Sequence, residues 1–427
     1  MIATAITLLL ILLLAIGLPV GFAMAVAGAA GLYSIGGLGF VAGILQTAPL
    51  STIRSFELVT IPMFLLMAEF VLVSGIADKV FAAASAWFGR VRGGLGMATA
   101  LAGAGFGAVC GSSMASAATL SATSLRAMLQ HRYEPRLASG VVAVSGTLAM
   151  LIPPSVALII YGLIAEVNIG QLLVAGIVPG ILITLTIITT VAVLVRLDPS
   201  RAPAGTSVPL RVRIAMLWSV LPMLMLFLLV SGLIYTGIAT PTETSALGAL
   251  GALAIAACSG KLTGRTLFLA LRRAVRTSCM VGMILIGAHI FSYFFAMSQV
   301  TQNLIAWVSA LDVPRSVVLL AIILGYLVLG TFLDTIGILV LTTPMVVPLI
   351  VSLGYDPIWF GIVVIVTAEV GLITPPVGMT CFVVAKYANR PIDEVFRGTL
   401  PHVVAHIVAI GIMVAIPQIV LWLPLQM

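Results

Sequence analysis

Polar residues are so sparse along this chain that they mark where elements break rather than which helix faces are wet. Apolar runs over 2–17 and 20–36, parted at Leu18-Pro19, read as two membrane spans. Residues 39–55, with Gln46, Ser51, Thr52 and Arg54, suit an amphipathic helix lying in the interface. A span at 58–75 leads to a second interfacial stretch at 76–87, which carries Asp78 and Lys79. The segment 93–129 is apolar at both ends but interrupted by Cys110-Gly111-Ser112-Ser113. A span over 137–166 is broken at Ile152-Pro153-Pro154-Ser155, and another follows at 171–196. Residues 197–213, rich in Pro, Gly, Ser and Arg, read as a linker.

The same order then begins again. Spans at 214–235 and 241–258 precede an interfacial stretch at 261–277, a span at 279–297 and another interfacial stretch at 299–311. An interrupted segment, 315–351, breaks at Leu333-Asp334-Thr335. A broken span, 357–386, breaks at Thr374-Pro375-Pro376-Val377-Gly378, and 399–423 closes the chain. Shifting the sequence by 222 positions lays Tyr133-Glu134-Pro135 on Tyr355-Asp356-Pro357 and Pro153-Pro154 on Pro375-Pro376, without a gap. Gly103 meets Gly325, Gly176 meets Gly398 and Pro179 meets Pro401. The shared residues are helix breakers, so the match points to two copies of one unit, 1–196 and 214–427.

Composition agrees. The 427 residues are 61% hydrophobic and only 8% charged, with mean hydropathy +1.26, against about 25% charged in soluble domains. The class is an all-α polytopic membrane protein, and its first segment reads as a span rather than a cleaved signal. The four cysteines form no CxxC pair and read as buried free thiols.

The net charge of +7 reports topology, not affinity for nucleic acid. If each interrupted segment is a re-entrant hairpin, each unit has five crossings and the second unit is inverted. Of 20 Lys and Arg, 18 then fall on one side, leaving Arg54 and Arg315 opposite. The positive-inside rule makes that side cytoplasmic and puts both termini outside.

Inverted repeats, each with a re-entrant hairpin and a Pro-Pro-broken helix, are a secondary-transporter plan. Irregular backbone at membrane depth is tolerated where it lines a cavity; half-helix N-termini suit anions and unwound carbonyls suit Na⁺. Juxtaposing tip 111–115 with break 152–155, and tip 333–336 with break 374–378, would build two such sites. Gly111, Ser112 and Ser113 supply backbone and hydroxyl groups for a carboxylate or a hard cation. Under the shift, Ser112 and Ser113 become Asp334 and Thr335. Asp334 reads as part of a coupling-ion or gating site, or as a helix cap at the hairpin turn.

Glu69 and Glu369 lie within spans and suit a hydrogen-bonded or a cation-linked role, while Glu243, after Pro241-Thr242, suits a helix cap. Glu166 falls at the outer surface. His289 reads as a packed, neutral side chain, and His402 with His406 lacks partners for a metal site. Gly103, Gly105 and Gly107 follow no strand, and there is no Walker A motif, which excludes an ATPase.

Three stretches carry a family resemblance: Gly111-Ser112-Ser113-Met114-Ala115-Ser116, Thr240-Pro241-Thr242-Glu243, and Glu369 through Thr374-Pro375-Pro376-Val377-Gly378. With them the chain resembles, over nearly its whole length, the large membrane subunit (M, DctM-like) of tripartite ATP-independent periplasmic transporters. One departure is Met379-Thr380, where members often carry Leu-Asn. The resemblance implies Na⁺-driven import of a small organic acid, delivered by a soluble periplasmic binding protein, in the bacterial inner membrane. It also implies a four-helix small subunit (Q) and an elevator mechanism, with 93–166 and 315–386 as the transport domain and the remainder as scaffold and arms.

On this reading substrate contacts are expected from Ser112, Ser113, Met114, Pro154, Ser155, Pro376, Val377 and Gly378. Na⁺ ligands are expected from Gly111, Ser113, Asp334, Thr335 and Thr374, with Glu243 and Glu369 as further candidates. A self-sufficient Na⁺/dicarboxylate or citrate-type carrier is the alternative. An intramembrane enzyme using Asp334, Glu369 or a histidine is a second, unsupported by any paired-acid or zinc motif.

Overall fold

The computed structural model describes residues 2–427 apart from Ala204, Thr206, Ser207 and Asp312, so part of the expected linker lies outside the described residues. Among the described residues there is no strand. The first half runs α1 (Ile2–Ala15), α2 (Val20–Arg54), α3 (Thr60–Ser74), α4 (Ile76–Phe88), α5 (Gly94–Cys110) and α6 (Ser113–Leu120). A π-helical turn, Ser121–Leu125, leads to α7 (Arg126–Gln130), then α8 (Pro135–Thr147), α9 (Val156–Ala165), α10 (Ile169–Ala175) and α11 (Ile177–Leu197). The second half runs α12 (Leu210–Tyr235), α13 (Pro241–Cys258), α14 (Gly264–Met297), α15 (Val300–Ser309), α16 (Arg315–Phe332) and α17 (Thr335–Ser352). It closes with α18 (Pro357–Leu372), α19 (Met379–Ala388), α20 (Ile392–Ala415) and the short α21 (Gln418–Leu421). Among the described residues, eight helical segments are long and apolar enough to cross a membrane, which makes this a multi-pass membrane protein.

The expected split of 20–55 is a kink inside one helix. Gly37 adopts φ 70°, ψ −171°, a conformation essentially reserved for glycine, and turns the C-terminal part of α2 away from its axis. A different expected split, within 261–297, is absent: α14 is continuous over 34 residues. Nothing in Arg276-Thr277-Ser278-Cys279 removes a helical hydrogen bond, so polarity alone did not end the helix. At ~1.5 Å per residue, α14 extends to about 50 Å, well beyond a ~30 Å hydrocarbon core.

Two sets of helices pack internally. In one, α2 lies along α14, α3 packs on α13 and α14, and α12 contacts α4 and α13. In the other, α8 is surrounded by α5, α6, α19 and α20, while α18 packs on α16, α17, α9 and α20. Both α8 and α18 are buried along almost their whole lengths, so the two Pro-Pro-broken helices form the centre. Helices α11 and α20 pack against this second set through α5, α8 and α18. Of the cysteines, Cys110 and Cys381 are buried as expected, whereas Cys258 and Cys279 are exposed.

Candidate ion and substrate site at two broken helices

The first interruption forms because α5 ends at Cys110 on a left-handed residue, Gly111 (φ 60°), which permits the reversal into α6. Ser112 caps α6, its hydroxyl accepting from the Ala115 N–H at 3.5 Å. This tip meets the first Pro-Pro break: a Cβ built on Gly111 would lie 3.5 Å from Val156 N and 3.6 Å from Pro154 O. Ser155 caps α9, accepting from the Leu158 N–H at 3.4 Å and donating to the Met150 carbonyl. Pro153, Pro154, Ser155, Gly111 and Ser113 are buried, Ser112 is half-buried, and Met114 is exposed.

The second interruption uses a charged cap. Asp334 accepts from the Gly337 N–H at 3.4 Å and starts α17. Its tip meets the second break, where the Gly378 N–H donates to the Thr331 carbonyl at 3.3 Å. Thr374 donates its hydroxyl to Val370 O at 2.6 Å, Pro375 and Pro376 are exposed, Val377 is half-buried and Gly378 buried. Both Pro-Pro bonds are cis. The structure thus brings each tip to its own break. The two clusters interlock, since α6 packs on α19 and α17 on α9.

The second cluster holds oxygen atoms in search of partners. Thr335 Oγ1, Thr380 Oγ1 and Glu369 Oε1 are all buried without a hydrogen bond. They lie on α17, α19 and α18, the helices flanking the tip and break. A buried carboxylate or hydroxyl left unpaired is costly, and a hard cation is the ligand that oxygen sets of this type accept. Thr380 was not anticipated from the sequence; its only signal there is a hydroxyl residue two positions after the break, at the start of a half-helix.

Other candidates lie elsewhere. Glu243 is exposed and forms a capping box with Thr240, accepting from the Thr240 N–H and hydroxyl at 2.8 Å each. Glu69 faces Arg273 of α14 at 3.8 Å. His289 is not packed away: it is exposed, and its Nδ1 lies 2.8 Å from Thr52 Oγ1. His402 and His406 are buried, and among the described residues no cluster of three or more His, Cys, Asp or Glu could hold a metal. Outside the membrane, the Arg201 guanidinium reaches Asp198 at 3.2 Å and Glu134 at 3.6 Å, tying the linker to the turn before α8. The Asp198 carboxyl is held below its usual range, chiefly by the Ser200 hydroxyl and then by Arg201.

Hairpin tips that each meet a Pro-Pro break inside an apolar multi-pass bundle, with buried unpaired oxygens on the helices flanking the second, mark a membrane transporter. The family model for the DctM component of tripartite ATP-independent periplasmic transporters matches residues 7–419, and the chain belongs to that family. The C4-dicarboxylate transporter large permease protein DctM of Pseudomonas aeruginosa is 32% identical over 378 residues, 87% of each chain. The sialic acid large permease protein SiaM of Vibrio cholerae is 30% identical over 418 residues, 96% of each. The ectoine large permease protein TeaC of Halomonas elongata is 31% identical over 428 residues, covering 99% of this chain and 98% of that one. The fold is similar to the crystal structure of the Alcanivorax borkumensis YdaH transporter, with TM-score 0.64 and 15% identity over 89% of this chain and 90% of that one. The protein is therefore a bacterial inner-membrane transporter component and not an enzyme.

Proposed function

We propose that this chain is the large, transporting subunit of a Na⁺-coupled symporter that imports a small organic acid or zwitterion. The observation that carries the reading is the pairing of each hairpin tip with its own Pro-Pro break, Gly111 with Pro154 and Gly378 with Thr331. Gly111, Ser113, Asp334, Thr335 and Thr374, now with Thr380, are the candidate Na⁺ ligands. Ser112, Ser113, Met114, Pro154, Ser155, Pro376, Val377 and Gly378 are the candidate substrate contacts. Glu369 offers a buried, unpaired carboxyl oxygen behind the second break, whereas Glu243 acts as a cap. Relatives named for C4-dicarboxylates, sialic acid, isethionate and ectoine favour a small, hydrophilic acid or zwitterion as substrate.

The two halves act as inverted repeats, with both termini periplasmic. The moving body is larger than 93–166 plus 315–386, because α10, α11 and α20 pack on the broken helices and would have to travel with them. The complementary set, α1–α3 and α12–α14, serves as scaffold, with the kinked end of α2, α4, the start of α14 and α15 as arms. A four-helix small subunit completes the scaffold, and a soluble periplasmic protein delivers substrate. The test is uptake by proteoliposomes holding this chain and its small subunit, with and without the binding protein. Uptake that needs the binding protein supports the tripartite reading; equal uptake without it supports a self-sufficient carrier instead.

A further inference from the structure

A cleft of about 530 Å³ lies away from both tips, between the scaffold helices α2 and α14, the arm α15, and the ends of α9 and α17. Its size falls in the range of small-ligand sites. Its lining is rich in oxygen, including Ser55, Ser292, Thr301, Gln302 and Thr343, and contains no Lys or Arg. Glu166 is its one carboxylate.

Three features point to a cation as its occupant. Thr343 is fully buried on the cleft wall, and its Oγ1 has no hydrogen-bond partner. Pro344 and Pro348, also in the wall, have no N–H, so the carbonyls of Val340 and Pro344 lose their usual helical donors. The Thr52 hydroxyl, also on the wall, donates to Ala48 O at 2.8 Å and so presents only acceptor lone pairs, one of them toward His289 Nδ1 at 2.8 Å. Thr343 also shares a face of α17 with Thr335, two turns or about 12 Å away, whose Oγ1 is likewise buried and unpaired.

We propose that this cleft is the outer vestibule through which Na⁺ reaches the second hairpin, with Thr343 Oγ1 and the Pro344 carbonyl as the first protein oxygens to replace its water. The inference rests on the Na⁺-coupled reading above. Glu166 at the cleft concentrates cations and repels a carboxylate substrate.

The test uses the complex of this chain with its small subunit, titrated with NaCl against choline chloride at constant ionic strength. Thermal stability reads Na⁺ binding without transport, and uptake reads flux. Thr343→Val should raise the half-saturating Na⁺ concentration at least threefold in both. Glu166→Lys, at the surface, should slow uptake at least threefold at low Na⁺ and recover at high Na⁺. Neither should change the substrate KM at saturating Na⁺. A raised substrate KM with an unchanged Na⁺ curve assigns the cleft to the organic substrate and overturns the proposal, as do two variants indistinguishable from wild type. A wild-type complex with no Na⁺ response in either readout removes the parent reading, and the vestibule with it.

Discussion

Asp334 accepts the Gly337 N–H at the start of α17, so truncating it would remove a helix cap together with a charge. Asparagine separates the two, because it caps as well as aspartate. Asp334→Asn should melt like wild type yet lose at least about tenfold in Na⁺-driven uptake, the equivalent of ~1.4 kcal/mol. Wild-type uptake would reduce Asp334 to a cap. Glu243 gives the opposite expectation: its capping box with Thr240 accounts for every polar contact it makes. Glu243→Ala should melt earlier with an unchanged Na⁺ dependence, measured by the same titration. Several site residues were legible as types in the sequence, since a carboxylate or paired hydroxyls beside a break have few cheap explanations inside a bilayer. Thr380 and the exposure of His289 were not, because whether a hydroxyl or an imidazole finds a partner is decided by neighbours distant in the chain.

At the level of elements, prolines and glycines predicted the breaks well, and polarity predicted them poorly. Gly111 and the two Pro-Pro pairs end helices where expected, since each removes a donor or permits a reversal. Gly264–Met297 form one helix despite their charged first half, because charge on an exposed face leaves the backbone bonds of α14 intact. By contrast, α2 bends at Gly37, where no neighbour would obstruct a side chain and the backbone angle alone demands glycine. Gly37→Ala should therefore cost ~1–3 kcal/mol or straighten α2, read as a lower melting temperature or as altered arm accessibility. The α8–α20 crossing has a different requirement. A Cβ on Gly398 would collide with the Arg136 carbonyl and sit 3.1 Å from Gly140 Cα, so Gly398→Ala should destabilise the complex by ~1–3 kcal/mol in thermal melts.

For the whole molecule, the self-match at an offset of 222 residues outlined the order of elements, but it could not say which helices travel together. The proposed moving body takes that from packing: α11 and α20 rest on the broken helices, although nothing in their apolar sequences distinguishes them from the proposed scaffold spans. The proposed inversion makes a sharp statement about sides. In a chain otherwise free of cysteine, Leu425→Cys should react with a membrane-impermeant thiol reagent added from the periplasm, and Pro203→Cys only after the membrane is opened. The account as a whole stands on Na⁺ doing the work. Its most direct test is the time course of labelled-substrate uptake into proteoliposomes under an inward Na⁺ gradient, with binding protein present and other gradients collapsed. The account predicts a transient overshoot, substrate accumulating above its equilibrium level and then leaking back as the Na⁺ gradient decays. A monotonic rise to equilibrium, identical when choline replaces Na⁺, would contradict it.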